Sequence, residues 1–266
     1  MLERQNLIAA LAETREDQLL LARAWDRLGA GETRNIPAAT GFLTGREQLL
    51  VTKLCARAGL RPPVFFGGYD GAERAVAVYI PDYLEPEDYL RGEEGPVAAL
   101  RATWSRFDRL SHRDFLGSLM GQGVKREVLG DLLPGEGSCD ILVLRDMAGY
   151  LCRELRQVGR ATVETVEIGL RELAVPERKV QRIADTVASL RLDSILASGF
   201  RQGRSKAAEL IRAGRVELRH VPTLKPDAIV GEGDVISARG LGKLRVAEVR
   251  GQTKKGRVSV VLERYL

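Results

Sequence analysis

The sequence predicts an α+β protein in three parts, on three observations. Apolar residues at helical spacing fill the first sixty residues and stop at Pro62-Pro63. Strand-like and helix-like stretches alternate from Ala75 to Ile168. A basic unit of two short helices and three strands spans Arg191 to Val249. The expected parts are a helical region at 1–74, a mixed α/β domain at 75–172, a connector helix at 173–188 and the basic domain with C-terminal strands at 189–266.

In the first part, Leu19, Leu20, Ala22, Ala24, Trp25 and Leu28 predict a helix that stops at Gly29 and Gly31. Thr40 to Leu43 precedes a second helix. Thr44 is its expected N-cap, and Glu47 three residues on completes a capping box. Leu49, Leu50, Val51, Leu54 and Cys55 line that helix, and Gly59 ends it. Val64-Phe65-Phe66 leads to Gly67-Gly68-Tyr69-Asp70-Gly71. Without a Gly-Lys-Ser/Thr ending or a following helix start, this reads as a hairpin turn and not a phosphate loop.

In the second part, Ala75–Ile80, Val97–Trp104, Cys139–Leu144 and Ala161–Ile168 read as strands. A helix after Ser111 is expected to bury Phe115, Leu116, Leu119 and Met120, and Gly121-Gln122-Gly123 breaks it. Lys125-Arg126-Glu127 opens a short segment that closes at Gly130-Asp131. Arg145–Leu155 reads as a helix with Met147, Tyr150, Leu151 and Leu155 on one face. The order strand, strand, helix, strand, helix, strand is close to a ferredoxin-like or RNA-recognition-like sandwich. The aromatic signature of true RNA-recognition domains is absent, so base stacking on this sheet is not expected. His112-Arg113-Asp114 has the look of a kinase catalytic loop. Leu119 stands where the Asn belongs, however, and no DFG accompanies it. Asp114 is read instead as an acid at a helix N-terminus, with Ser111 or His112 as cap.

The third part carries the charge. Residues 191–266 hold 16 Lys and Arg against 8 Asp and Glu, whereas 1–190 hold 25 against 28. Leu192, Ile195 and Leu196 share one helical face, and Ala207, Leu210 and Ile211 share another. Ser205 can cap the second helix and Gly214 can stop it. Arg191, Arg201, Arg204, Lys206, Arg212 and Arg215 lie in or beside the two helices. Arg204 and Lys206 stand at a helix start, where they oppose the dipole, which makes sense when a phosphate sits between them. Six cations in one short unit point to RNA. The turn Gly251 to Gly256, with Lys254 and Lys255, can add a phosphate contact.

Arg191-Leu192-Asp193, Arg204-Ser205-Lys206-Ala207, Leu210-Ile211, Gly214, Val216 and Gly233-Asp234 resemble the ribosomal-protein S-four-type RNA-binding domain, or αL motif. That family carries Asn-Gly where this chain has Arg219-His220. The resemblance implies two helices laid on structured RNA. Over residues 40 to 250 the chain also resembles the YlmH-type proteins. The residues that carry this are Gly67-Gly68-Tyr69, Ala72-Glu73-Arg74, His112-Arg113-Asp114 with Leu116-Gly117, Lys125-Arg126-Glu127, Gly130-Asp131 and Arg239-Gly240-Leu241-Gly242-Lys243. This resemblance implies a non-catalytic RNA-binding factor on the large ribosomal subunit. Some members are linked to quality control of stalled chains, where they hold tRNA. The RNA-binding set expected is Arg191, Arg201, Arg204, Ser205, Lys206, Arg212, Arg215, Arg239 and Lys243, with Arg113, Lys125 and Arg126 as a secondary contact.

The alternative is an RNA-modifying enzyme anchored by the basic domain. It needs a synthase Asp motif, an S-adenosylmethionine loop or synthetase signatures, and the sequence carries none. A DNA-binding module suits the cations less well, because they cluster at a helix start and loop. Cys55, Cys139 and Cys152 have no metal-ligand or disulfide spacing. No apolar run approaches 18 residues, and no signal-peptide core is visible. The expectation is a cytoplasmic monomer without metal, cofactor or membrane partner.

Overall fold

The structure, a computed structural model, describes residues 2–177, 179–253 and 256–266. It divides into two units, one ending at Pro176 and one beginning at Glu177. Both are mixed α and β, and every sheet is antiparallel.

The first unit opens with α1 (Leu2–Leu11), α2 (Arg15–Arg34), β1 (Ala38–Leu43), α3 (Gly45–Ala58), β2 (Val64–Phe66) and β3 (Ala75–Tyr79). Both longer helices begin with a capping box, Thr14 with Asp17 and Thr44 with Glu47. Gly59 ends α3 in the left-handed region, as expected. Gly29 and Gly31 do not end α2, which runs on to Asn35 at φ 53°. A Cβ on Gly31 would sit 2.5 Å from that of Ala38, so this glycine lets the helix approach β1. Thr40 to Leu43 is not merely a lead-in but belongs to a strand. β3 lies between β1 and β2, so a boundary at 74 separates a strand from both its partners. The buried Asp17 accepts from Arg46 at 2.7 and 2.9 Å, which ties α2 to α3. Those bonds from Arg46 hold its carboxyl far below the usual range.

The unit continues with α4 (Pro86–Arg91), β4 (Val97–Trp104), α5 (His112–Gly121), a 3-10 turn at Arg126–Val128, β5 (Leu129–Pro134), β6 (Ser138–Leu144), α6 (Arg145–Glu154), β7 (Gln157–Val158) and β8 (Ala161–Ile168). The sheet order is β5-β6-β4-β8-β7. Elements β4-α5-β5-β6-α6-β8 therefore run β-α-β-β-α-β. Ala98, Leu100 and Ala102 of β4 pack with Phe115 and Leu119 of α5 and Ala148 and Leu151 of α6. Val97 and Ala99 face the other way, onto Phe42, Val76 and Val78. A strand covered on both faces reads as a continuous apolar run. Sequence reading missed β5, whose apolar run is interrupted by Gly130 and Asp131. A Cβ on Gly130 would come 2.7 Å from the Phe42 ring, so the close packing there needs glycine. Met120, expected to be buried, is 44% exposed, and Tyr150, expected on the face of Leu151, is 41% exposed while Leu151 is buried.

The second unit holds β9 (Val180–Val187), α7 (Leu192–Gly199), α8 (Arg204–Arg212), β10 (Val216–Leu218), β11 (Val221–Pro222), β12 (Val235–Ala238), β13 (Gly242–Gln252) and β14 (Val258–Tyr265). The expected connector helix is a strand. Val180, Ile183 and Val187 fit a helical face in sequence, but β14 offers an open edge. β9 pairs with it from Val187 opposite Val258 to Val180 opposite Tyr265. Tertiary pairing overrides the local signal. The six strands run β11-β10-β12-β13-β14-β9. Leu192, Ile195, Leu196, Ala207 and Ile211 bury against Ile236, Leu244, Val246, Val260 and Leu262. Lys254 and Lys255 of the β13–β14 turn lie outside the described residues.

Candidate nucleic-acid interface

Two short helices set the positions of the cations. Burial of Leu192, Ile195 and Leu196 fixes the rotation of α7, and Ala207 and Ile211 fix that of α8. A Cβ on Gly199 would meet Leu244 Cδ2 at 2.4 Å, so the end of α7 lies tight on the sheet. Ser205 is not the cap of α8. Gly203 holds that position without a side-chain bond, and Ser205 is exposed one residue inside the helix. Gly214 follows α8 at φ 67°, the left-handed stop expected.

Asp193 organises the polar side. It is 5% exposed and accepts from two guanidiniums. Arg191 Nε and Nη2 donate to it at 3.3 and 3.2 Å, and Arg204 Nε and Nη2 at 3.2 and 3.3 Å. Burial pushes the Asp193 carboxyl up, but the bonds from Arg191 and Arg204 outweigh it, and its pKa falls below the ordinary value. Two cations on one carboxylate leave a net positive charge and two partly exposed guanidinium edges. Sequence reading named Asp193 only as part of a motif. Its signal was an acid two residues after Arg191, at the start of a helix in a basic unit.

The other expected residues fall into smaller groups. Lys206 is exposed and pairs with Glu209 at 3.1 Å. Arg201, at φ 52°, and Arg212 are exposed. Arg215 Nη2 donates to the Arg239 carbonyl at 3.2 Å, which brings those two arginines together at the β12–β13 turn. Lys243 is half-buried, its ammonium 6.0 Å from the Tyr265 ring centre.

Arg219-His220 forms the two-residue turn between β10 and β11, with Leu218 opposite Val221. Both residues have positive φ, 54° and 64°, which a type I′ turn demands. The geometry favoured by Asn-Gly is therefore kept with bulkier residues. Arg219 compensates by donating to Asp234 at 2.5 and 2.6 Å.

In the first unit the motif residues meet, but mostly to hold one another. Asp131 accepts from the Tyr69 hydroxyl at 2.8 Å and from the Glu73 and Arg74 N–H groups at 2.7 and 3.1 Å. Buried Arg74 donates to the carbonyls of Leu129, Phe42 and Arg126. Arg126, a residue expected to touch RNA, donates to the carbonyls of Leu129 and Gly130 at 3.1 and 3.3 Å. Burial lowers its pKa. These motifs form a joint between the β2–β3 loop and β5. Arg113 and Lys125 are exposed. Ser111 holds the N-cap position of α5, and Asp114 reaches back to accept from its N–H and hydroxyl.

A family described as the putative RNA-binding domain in YlmH matches residues 102–172. The chain is 36% identical over 226 residues, 85% of its own length and 86% of the relative's, to the ribosome-associated protein quality control protein P2 of Bacillus subtilis (strain 168). The solved cell division protein ylmH from Streptococcus pneumoniae has a similar fold, with a TM-score of 0.51 at 19% identity. That match covers 62% of this chain and 98% of the other.

Proposed function

This chain belongs to the YlmH family, and on that premise we propose that it is a non-catalytic protein that binds structured RNA on the ribosome. Its S-four-type unit, within residues 177–266, lies on rRNA or tRNA of the large subunit. It serves the quality control of stalled nascent chains, as a monomer in the cytoplasm. The observation that carries this reading is the pair Arg191 and Arg204 fixed on buried Asp193. Lys206, Arg201 and Arg212 stand exposed on the same two-helix unit. Cations held in place at a helix start suit phosphate and shape readout. The relative's name as a ribosome-associated quality control protein supports the setting. The non-catalytic reading is supported by the polar residues of the central motifs, since Arg74, Asp131 and Asp114 are engaged in holding the fold.

Sucrose-gradient sedimentation of cell lysate, at low and high salt, tests the proposal. Co-migration with the large subunit that disappears at high salt is expected. Migration as free protein under both conditions overturns it.

A further inference from the structure

The five-stranded sheet of the first unit is a poor RNA platform. Its strand β4 is covered on both faces. The open side of β8 presents Thr162, Glu164 and Val166, with no ring and one carboxylate. The loop between β4 and α5 differs. Phe107 at its tip is 84% exposed. Its neighbours anchor inward: Trp104 donates its indole N–H to the Asp108 carbonyl at 3.1 Å and packs on Phe115, with ring centres 5.5 Å apart. Leu110 joins the same core, and Ser111 is locked to Asp114. The ring is therefore presented from a loop fixed at both ends.

Arginines surround it in sequence. Arg106, Arg109 and Arg113 are all exposed. The Arg106 guanidinium lies 5.2 Å from the Phe107 ring centre. Among the described residues, no side-chain hydrogen bond or ion pair is made by any of the three. By contrast Arg74, Arg101, Arg126 and Arg145 of the same unit are all engaged with carbonyls or carboxylates. An exposed ring flanked by guanidiniums that hold no carboxylate or carbonyl matches an unpaired nucleobase and the phosphates on either side of it. A solvated loop has no need of the ring, and a duplex offers it no face.

We propose that the β4–α5 loop is a second RNA contact, in which Phe107 stacks on one unpaired base while Arg106 and Arg109 hold the adjacent phosphates. The inference rests on the RNA-binding reading above and gives the matched RNA-binding domain at residues 102–172 a specific point of contact.

The test uses the full chain and two fluorescent RNA probes: a stem closed by a uridine-rich loop, and the same stem as a blunt duplex. Phe107→Ala is expected to weaken binding to the looped RNA by about 5- to 100-fold and to leave duplex binding unchanged, while Phe107→Trp retains affinity. Arg106→Ala with Arg109→Ala is expected to flatten the log–log salt slope for the looped RNA by about 1.4. The loop is exposed, so these variants keep the fold. An affinity for the looped RNA unaltered by Phe107→Ala overturns the inference alone. Failure of the wild-type chain to bind either probe overturns both this inference and the reading beneath it. Lys206→Ala with Arg212→Ala separates the two: weakened binding there with no effect at Phe107 keeps the function and removes the second contact.

Discussion

Arg204, the first residue of α8, and Asp193, near the start of α7, are joined by two hydrogen bonds of 3.2 and 3.3 Å. The bonds lock the two helices together through the same side chain that is offered to RNA. Stability and binding are therefore linked at Arg204. Asp193→Asn keeps the shape but removes the charge, leaving Arg191 and Arg204 facing each other. With both arginines partly solvated, the expected loss is about 1–2 kcal/mol, read as a lower urea midpoint.

The same carboxylate predicts a pH dependence. Asp193 and Asp234 both have folded pKa values below the ordinary one, each against a burial effect that its arginine partners outweigh. A depressed folded value means that their contribution is fully present above an unfolded pKa of about 3.9 and is lost as pH falls through the folded value. Urea midpoints of the wild type should fall on acidification below about pH 4. Asp193→Asn should show a shallower fall, and parallel curves would refute the assignment.

Binding is better tested away from Asp193. Among the described residues Lys206 is held only by the exposed Glu209, and Arg212 is exposed. Lys206→Ala with Arg212→Ala should cost under about 1 kcal/mol of stability. It should flatten the salt dependence of RNA affinity by about 0.7–0.9 for each phosphate that is no longer neutralised. An unchanged slope removes both residues from the interface.

The Arg219-His220 turn carries strain. His220 sits at φ 64° without the ion pair that holds Arg219. His220→Gly relieves a left-handed conformation that costs about 1–2 kcal/mol, partly offset by a more flexible unfolded chain. A net stabilisation of about 0.5 kcal/mol is expected by chemical denaturation, whereas Arg219→Ala should destabilise.

Asp131 separates structural motifs from binding motifs. Asp131→Ala removes the carboxylate that the Tyr69 hydroxyl and two backbone N–H groups donate to. It should cost about 2–3 kcal/mol in thermal unfolding of the first unit, with no change in the salt slope for RNA. A flattened slope would return this motif to the RNA surface.

Much of the fold was legible in the sequence because local chemistry dictated it. Thr44 with Glu47, Gly59 and Gly214 specify helix ends by their own hydrogen bonds and backbone freedom. Strands β4, β6, β8 and β12 announce themselves by apolar content. The failures have a common cause, a long-range partner. β5 is broken by Gly130 and Asp131, which serve Phe42 and the β2–β3 loop. β9 is a strand because β14 needs a neighbour. In the site, the cations were visible as charge, but the division between committed and uncommitted arginines was not. Arg126 and Arg113 look alike in sequence, and only the fold gives one of them carbonyls to hold.

The pairing of β9 with β14 determines where this protein can be cut. A fragment starting at residue 189 keeps both helices and every cation of the basic unit, yet begins one strand too late. It exposes along Val258–Tyr265 the backbone groups that β9 satisfies. A bare edge of that length accepts the next extended chain it meets. Such a fragment would self-associate or capture foreign strands, and its retention in a pull-down would report a missing strand instead of a partner. A fragment that starts at Glu177 carries its own seal.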